Sequence, residues 1–173
     1  FSHGGMEHNK SIALELNNLI AALDRALSTD DAKSVAGVFT AAASVLQLKG
    51  PFLTLTKIAG RALSCTTLSQ SARAKALVSQ GRAWRLMGEV DRARKILSWG
   101  LSMAQQGQDE EVEAEAEQNL GIVSDLEGLP DEAREHYQKA LETYRKLGHR
   151  KPEGQVLNNL GILERTKGDL DSA

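Results

Sequence analysis

A chain of 173 residues, of which 41% are hydrophobic and 25% charged, has the composition of one compact domain or a short array of repeats. No run of 18 apolar residues and no stretch resembling a secretory leader occurs, and the single cysteine, Cys65, cannot form an internal disulfide. The net charge of −2 and the aromatic content of 4% give nucleic-acid binding little support. We therefore expect a cytoplasmic protein that binds neither nucleic acid nor membrane, with Cys65 as a small packing residue.

The first ten residues, FSHGGMEHNK, show no helical period and resemble an expression remnant. We expect a disordered lead over residues 1–10 and one helical domain over residues 11–173. The apolar pattern then predicts helices at residues 11–28, 32–49, 52–66, 71–87, 90–106, 110–127, 130–147 and 152–167. Asp30 or Asp31 and Asp109 suit helix N-caps, and Pro130 and Pro152 suit first turns.

A glycine recurs every 40 residues, at Gly81, Gly121 and Gly161. Each begins a block with a second glycine at its eighth place (Gly88, Gly128, Gly168) and an alanine at its thirteenth (Ala93, Ala133, Ala173). The second glycine precedes acidic residues or proline, which is the pattern of a helix end followed by a helix start. The first glycine lies inside a helix, where it costs roughly 1 kcal/mol relative to alanine. We predict that close packing of the neighbouring helix offsets this cost.

These blocks resemble the tetratricopeptide repeat, whose signature combines W-x2-L-G-x2-Y, A-x3-F and a final alanine. With the first glycine as position 8, the best copy contains Leu120, Gly121, Ala133, Tyr137 and Ala140. A weaker copy precedes the Gly81 block at an offset of 38, with Gly50 matching Gly88. Departures occur at Glu117, Ser124 and Glu164, where the family prefers large apolar or aromatic residues. The resemblance implies an all-α, right-handed superhelix of antiparallel helix pairs, with the first helix of each pair on the concave wall.

A second resemblance concerns the long, 40-residue type of repeat and the phrase ALETYRKLGHRKPEGQVLNNLG. Both are similar to the region downstream of the nucleotide-binding module in bacterial signalling ATPases and transcriptional regulators of the STAND class. The resemblance implies a repeat array that senses an inducer or a partner. No G-x-x-x-x-G-K-[ST] loop occurs, so nucleotide chemistry is not expected in these residues.

The family resemblance assigns the concave wall mainly to positions 2, 5, 6, 9, 12 and 13 of the first helix. Columns 5, 6 and 9 give the candidate groove residues Val78, Ser79, Arg82, Gln118, Asn119, Ile122, Asn158, Asn159 and Ile162. An asparagine side chain both donates and accepts, so Asn119 and Asn159 suit the backbone of an extended peptide. Equally, these asparagines suit bonds to neighbouring helices that set the spacing of repeats. Arg82 has no acidic residue in its column and is the candidate for a ligand carboxylate.

Charge is unevenly distributed, since residues 1–108 hold 13 basic and 7 acidic side chains whereas residues 109–173 hold 8 and 16. Such a gradient suits an oriented, charged partner. Column 12 (Arg85, Asp125, Arg165) and column 2 (Lys75, Glu115, Gln155) alternate in charge and favour pairing between repeats. We interpret Trp84 and Trp99 as core residues, and His136 and His149 as isolated surface residues.

Two functions remain after this survey, neither of them enzymatic. The first is a protein–protein interaction module that binds a peptide, a protein segment or another domain of its parent chain. The second is an inducer-sensing repeat domain that binds a small molecule or its own ATPase module. No catalytic constellation, cofactor site or metal site is predicted. Because the last block stops five residues after Gly168, we also predict an incomplete last repeat and weak self-association through it.

Overall fold

The computed structural model describes residues 3–49 and 51–171, and these residues form α-helices joined by short loops, without a strand. The helices are α1 (His3–Ser28), α2 (Ala32–Lys49), α3 (Phe52–Ala62), α4 (Gln70–Leu86), α5 (Val90–Gln106), α6 (Glu110–Leu126), α7 (Pro130–Leu147) and α8 (Arg150–Asp171). The all-α prediction is confirmed. In this part of the chain, none of the helices combines the length and the hydrophobicity that crossing a bilayer requires.

The helices are arranged in two layers. Each helix packs against the next in the chain, and α2, α4, α6 and α8 also contact one another in succession. The pairs α4–α5 and α6–α7 correspond to the helix–turn–helix blocks predicted from the glycine repeat. The α2, α4, α6 and α8 helices thus form one continuous inner layer.

Three helix ends differ from the prediction. The α1 helix begins at His3 rather than at residue 11, because lengthening an existing helix requires no new nucleation. The α3 helix ends at Ala62 rather than at residue 66, because the Arg73 guanidinium binds the carbonyls that follow it, including those of Leu63 at 3.2 Å and Cys65 at 2.6 Å. The α8 helix continues through Gly168 to Asp171 rather than ending at residue 167.

The first glycine of each block explains how α4 and α6 approach their partners. A Cβ atom on Gly121 would lie 2.6 Å from Cδ1 and Cε1 of Tyr137, and one on Gly81 would lie 2.6 Å from Cγ of Leu97. These distances confirm the packing prediction for both glycines. A Cβ atom on Gly161 would meet nothing within 4 Å, so this glycine forms no such contact.

The second glycines form the turns inside the blocks. Gly88 has a φ of +81° and Gly128 a φ of +74°, conformations that favour glycine because it has no Cβ atom. Asp31 and Asp109 are N-caps as predicted, accepting hydrogen bonds from the backbone N–H of Ser34 at 3.2 Å and of Val112 at 3.2 Å. Asp30 has a different role, since its carboxylate accepts from the N–H of Thr66 at 2.8 Å and joins two loops.

The three residues that depart from the repeat signature form polar contacts between helices. These contacts join Glu117 to His136 at 2.5 Å, Ser124 to Arg94 at 3.1 Å, and Glu164 to Arg134 at 2.8 Å. Arg94 also pairs with Glu127 and with Glu132, which raises the pKa of its guanidinium. Polar residues at these positions therefore connect successive helices where other copies of the repeat use apolar contacts.

Two predictions about histidine and tryptophan side chains are wrong. His136 is not an isolated surface residue, because only 16% of its side chain is exposed and it contacts the buried Glu117. Trp99 is not a core residue, since 52% of it is exposed; it falls between the buried residues Leu97 and Gly100 on the outer side of α5. Trp84 is partly buried as predicted, and Cys65 is a buried packing residue.

We predict weak self-association through the uncovered side of α8. Leu157 is 44% exposed, whereas the residues at the same repeat position in α4 and α6, Leu77 and Glu117, are buried under the following helix. Leu157→Glu should therefore lower the apparent mass measured by light scattering at high protein concentration. Leu126→Glu, at a leucine that is 60% exposed on α6, is the matched control. If both variants keep the wild-type apparent mass, the α8 face is not the contact.

Candidate functional site

A concave pocket of about 390 Å³ lies on the inner layer, over α4, α6 and α8. We call it the central groove. Its lining residues are Arg82, Arg85, Glu111, Glu115, Gln118, Asn119, Ile122, Tyr144, Pro152, Gln155 and Asn159. All of them except Tyr144, which reaches in from α7, belong to the three inner helices.

Five of the nine predicted groove residues line this pocket: Arg82, Gln118, Asn119, Ile122 and Asn159. Ser79 lines a neighbouring depression of about 270 Å³, which extends over α2 and shares Glu111 and Glu115 with the central groove. The structure thus gathers most of columns 6 and 9 of the first two full repeats on one surface.

The other three predicted residues lie elsewhere. Val78 is fully buried, because the glycine at Gly100 lets α5 pack closely against it: a Cβ atom there would lie 2.9 Å from Cγ2 of Val78. The prediction that Val78 faces the groove is wrong. Asn158 and Ile162 are exposed on α8 and line none of the described pockets.

The two asparagines of the predicted ladder differ in their surroundings. Asn119 is 5% exposed, and its Nδ2 donates to the carbonyl of Glu115 at 2.8 Å within the same helix. Asn159 lies across the groove on α8 and is half-buried. Between them, Gln118 accepts a hydrogen bond from the Tyr144 hydroxyl at 3.2 Å. That hydroxyl has a raised pKa, first because of burial and then because of Glu115 nearby.

Arg82 has no acidic residue in its own column, but it has an acidic neighbour from column 2. Its Nη1 lies 4.0 Å from Oε1 of Glu115, and each of the two side chains is 36% exposed. A partly exposed pair at this distance contributes at most about 1 kcal/mol. Burial raises the pKa of Glu115, and Arg82 partly opposes that shift.

Pairing between repeats is diagonal rather than along columns. Lys75 pairs with Asp109 at 3.6 Å, while Glu115, its expected column mate, pairs with Arg82. In the part of the chain that the structure describes, no ion pair joins Arg85 to Asp125 either. Column positions alone miss these contacts because an inner helix also reaches the loop that precedes the next inner helix.

Arg85 also lines the groove, although its column predicted pairing with Asp125 rather than contact with a ligand. Its Nε is buried and has no hydrogen-bond partner among the described residues. The pKa of its guanidinium is lowered, first by burial and then by the neighbouring Arg82. A polar atom in this state is uncommon in native structures, where nearly all buried polar groups are hydrogen-bonded.

We also searched the described residues for side chains grouped as metal ligands. Within residues 3–49 and 51–171, no three His, Cys, Asp or Glu side chains are grouped so that they could hold a metal ion. The groove instead presents amide, guanidinium, carboxylate and hydroxyl groups around the apolar side chains of Ile122 and Pro152.

Comparison with known proteins supports the repeat assignment. Residues 112–173, which include most of α6 and all of α7 and α8, match the family model of the tetratricopeptide repeat. No curated protein matches the chain. Among solved structures, the crystal structure of BtubC (BKLC) from P. vanneervenii is similar, with a TM-score of 0.72 and 20% sequence identity over 92% of this chain and 68% of that chain.

The comparisons establish a helical-repeat fold and place tetratricopeptide repeats in its second part. At 20% identity, the structural likeness shows a shared fold and nothing more specific. Proteins with tetratricopeptide repeats are generally protein-interaction modules and typically lack catalytic activity. The resemblance to STAND-class regulators and the cytoplasmic location remain predictions.

Proposed function

We propose that the protein is an interaction module whose central groove binds an extended peptide segment, from a partner protein or from another domain of its parent chain. The observation that carries this proposal is the convergence of five residues chosen from the sequence on one concave surface. They come from three successive inner helices, α4, α6 and α8, whose equivalent positions are 40 residues apart. Convergence of this kind suits a ligand that crosses several repeats.

The chemistry of the groove supports a peptide backbone as the ligand. Gln118, Gln155 and Asn159 supply amide groups that donate and accept hydrogen bonds. Ile122 is half-buried among them and offers an apolar contact for one ligand side chain. Repeated amide groups along an inner layer match the repeated N–H and C=O groups of an extended chain.

A small inducer is the second candidate, and the size of the groove is the observation in its favour. A volume of about 390 Å³ lies within the range of 300–1,000 Å³ that is usual for small-molecule sites. Such sites are mostly apolar and enclosed, whereas the central groove has four charged lining residues, two of which are 36% exposed. We therefore favour the peptide. Of these four charged residues, the sequence analysis named only Arg82 as a candidate groove residue.

The proposal predicts different effects for two adjacent asparagines. Asn159→Ala should weaken peptide binding about 5- to 10-fold, roughly 1–1.4 kcal/mol, because a hydrogen bond to the ligand is lost. Asn158→Ala should change the dissociation constant less than twofold, since Asn158 is exposed and lies outside the groove. The measurement is fluorescence anisotropy with a labelled 12-residue peptide selected from a random library by the wild-type protein.

Comparing Asn159→Ala with Asn158→Ala separates the loss of a contact in the groove from any general effect of removing an asparagine from α8. Equal binding by both variants, with wild-type circular dichroism, would place the ligand outside the groove. Failure of the wild-type protein to select any peptide from the library would contradict the proposed function itself.

A further inference from the structure

Arg85 stands apart from the other partly buried arginines of the described residues. Each of those has a partner: Arg61 pairs with Asp24, Arg73 donates to backbone carbonyls, Arg82 pairs with Glu115, and Arg94 and Arg134 each pair with two carboxylates. Arg85 forms no ion pair in this part of the chain, and its Nε is buried without a hydrogen bond. Withdrawing a cation from water without a partner is unfavourable, so this arginine calls for a function.

The position of Arg85 indicates which ligand group its guanidinium would meet in the groove. Its side chain lines the central groove together with that of Arg82, whose Nη1 lies 4.0 Å from Oε1 of Glu115. Two guanidinium groups beside one another form a site for a planar anion, because each can donate two parallel hydrogen bonds to a carboxylate. Glu111 and Glu115 also border the groove, so a singly charged carboxylate fits better than a phosphate with its larger negative charge.

We infer that Arg85 anchors an acidic side chain of the bound peptide, with Arg82 as a second donor. This inference rests on the proposed function and adds the ligand class to it. The anchored group is a side chain rather than a chain terminus, because the inner layer continues past α4 onto α2, and Phe39 and Thr40 of α2 line the neighbouring depression together with Ser79 of α4. A peptide that reaches Arg85 therefore has a surface along which to continue.

Two peptide pools test the inference. Both contain random 12-residue peptides that are acetylated and amidated, so that neither terminus is charged, and they differ only in a central glutamate or glutamine. The wild-type protein should retain the glutamate pool at least fivefold better at low salt, and less so at high salt, because ions screen the charged contact. Arg85→Met should abolish this preference, and Arg85→Lys should keep part of it, since lysine retains the charge without the fork.

Arg165→Met is the matched control, because Arg165 occupies the same repeat position in α8 and is exposed outside the groove. This variant should keep the wild-type preference for glutamate. Thermal melts check that each variant is folded, and the comparison of the two pools on the wild-type protein requires no variant at all.

The outcomes separate this inference from the proposed function. Equal retention of both pools by the wild-type protein, with weaker retention of both by Asn159→Ala, would overturn the role of Arg85 and leave the peptide groove in place. Loss of the glutamate preference in Arg165→Met as well as in Arg85→Met would also overturn it. Retention of neither pool would overturn both the inference and the proposed function.

Discussion

His136→Ile should lower the free energy of unfolding by about 3–5 kcal/mol at neutral pH, because it leaves a buried carboxylate without its partner. Only 5% of the Glu117 side chain is exposed, and one of its oxygens lies 2.5 Å from Nδ1 of His136. Isoleucine fills similar space but donates no hydrogen bond. The measurement is urea denaturation followed by circular dichroism.

The preceding repeat supplies the control for this substitution. Leu77 and Ile96 lie 40 residues before Glu117 and His136, and Leu77 is fully buried. The double variant Glu117→Leu/His136→Ile copies that apolar pair into the second repeat and should regain most or all of the lost stability, since apolar replacements of buried polar pairs are often neutral or stabilising. A double variant as unstable as His136→Ile alone would show that the contact between Glu117 and His136 is not the cause.

The Glu117–His136 contact also shows where sequence reasoning reached its limit. Glu117 was recognised as a departure from the repeat signature, but its partner lies 19 residues away on another helix. Helical period and glycine spacing report which face of a helix is buried, and this is why the helices and the glycine contacts were predicted well. They do not report which polar side chain on the next helix meets a given residue.

The same limit applies to the candidate groove. Columns 6 and 9 predicted Arg82, Asn119, Ile122 and Asn159 because each inner helix presents the same face in successive repeats. The columns failed for Val78, whose environment depends on the glycine at Gly100 in the outer helix. They also paired Arg85 with Asp125, whereas no ion pair joins the two in the described part of the chain and the Nε of Arg85 has no hydrogen bond there.

Gly121→Leu should lower the free energy of unfolding by roughly 1–3 kcal/mol through overpacking. The first added carbon would already lie 2.6 Å from two atoms of the Tyr137 ring and 3.2 Å from the backbone oxygen of Ala133. Tyr137 is 1% exposed, so its ring has no free space into which to move. Helices α6 and α7 must separate instead, and this loss of packing exceeds the helix propensity of roughly 1 kcal/mol that leucine gains over glycine.

Gly161→Leu is the matched control, since it makes the same chemical change at the same repeat position, where an added Cβ atom meets nothing within 4 Å. Only the gain in helix propensity remains at this site, so the variant should be as stable as the wild-type protein or up to about 1 kcal/mol more stable. Thermal and urea melts of both variants measure whether each substitution lowers or raises the free energy of unfolding. If Gly121→Leu is as stable as Gly161→Leu, close approach of Tyr137 is not the reason for glycine at position 121. If both variants lose the same amount of unfolding free energy, the cause is an effect of leucine on the inner helices themselves, independent of the helices that cover them.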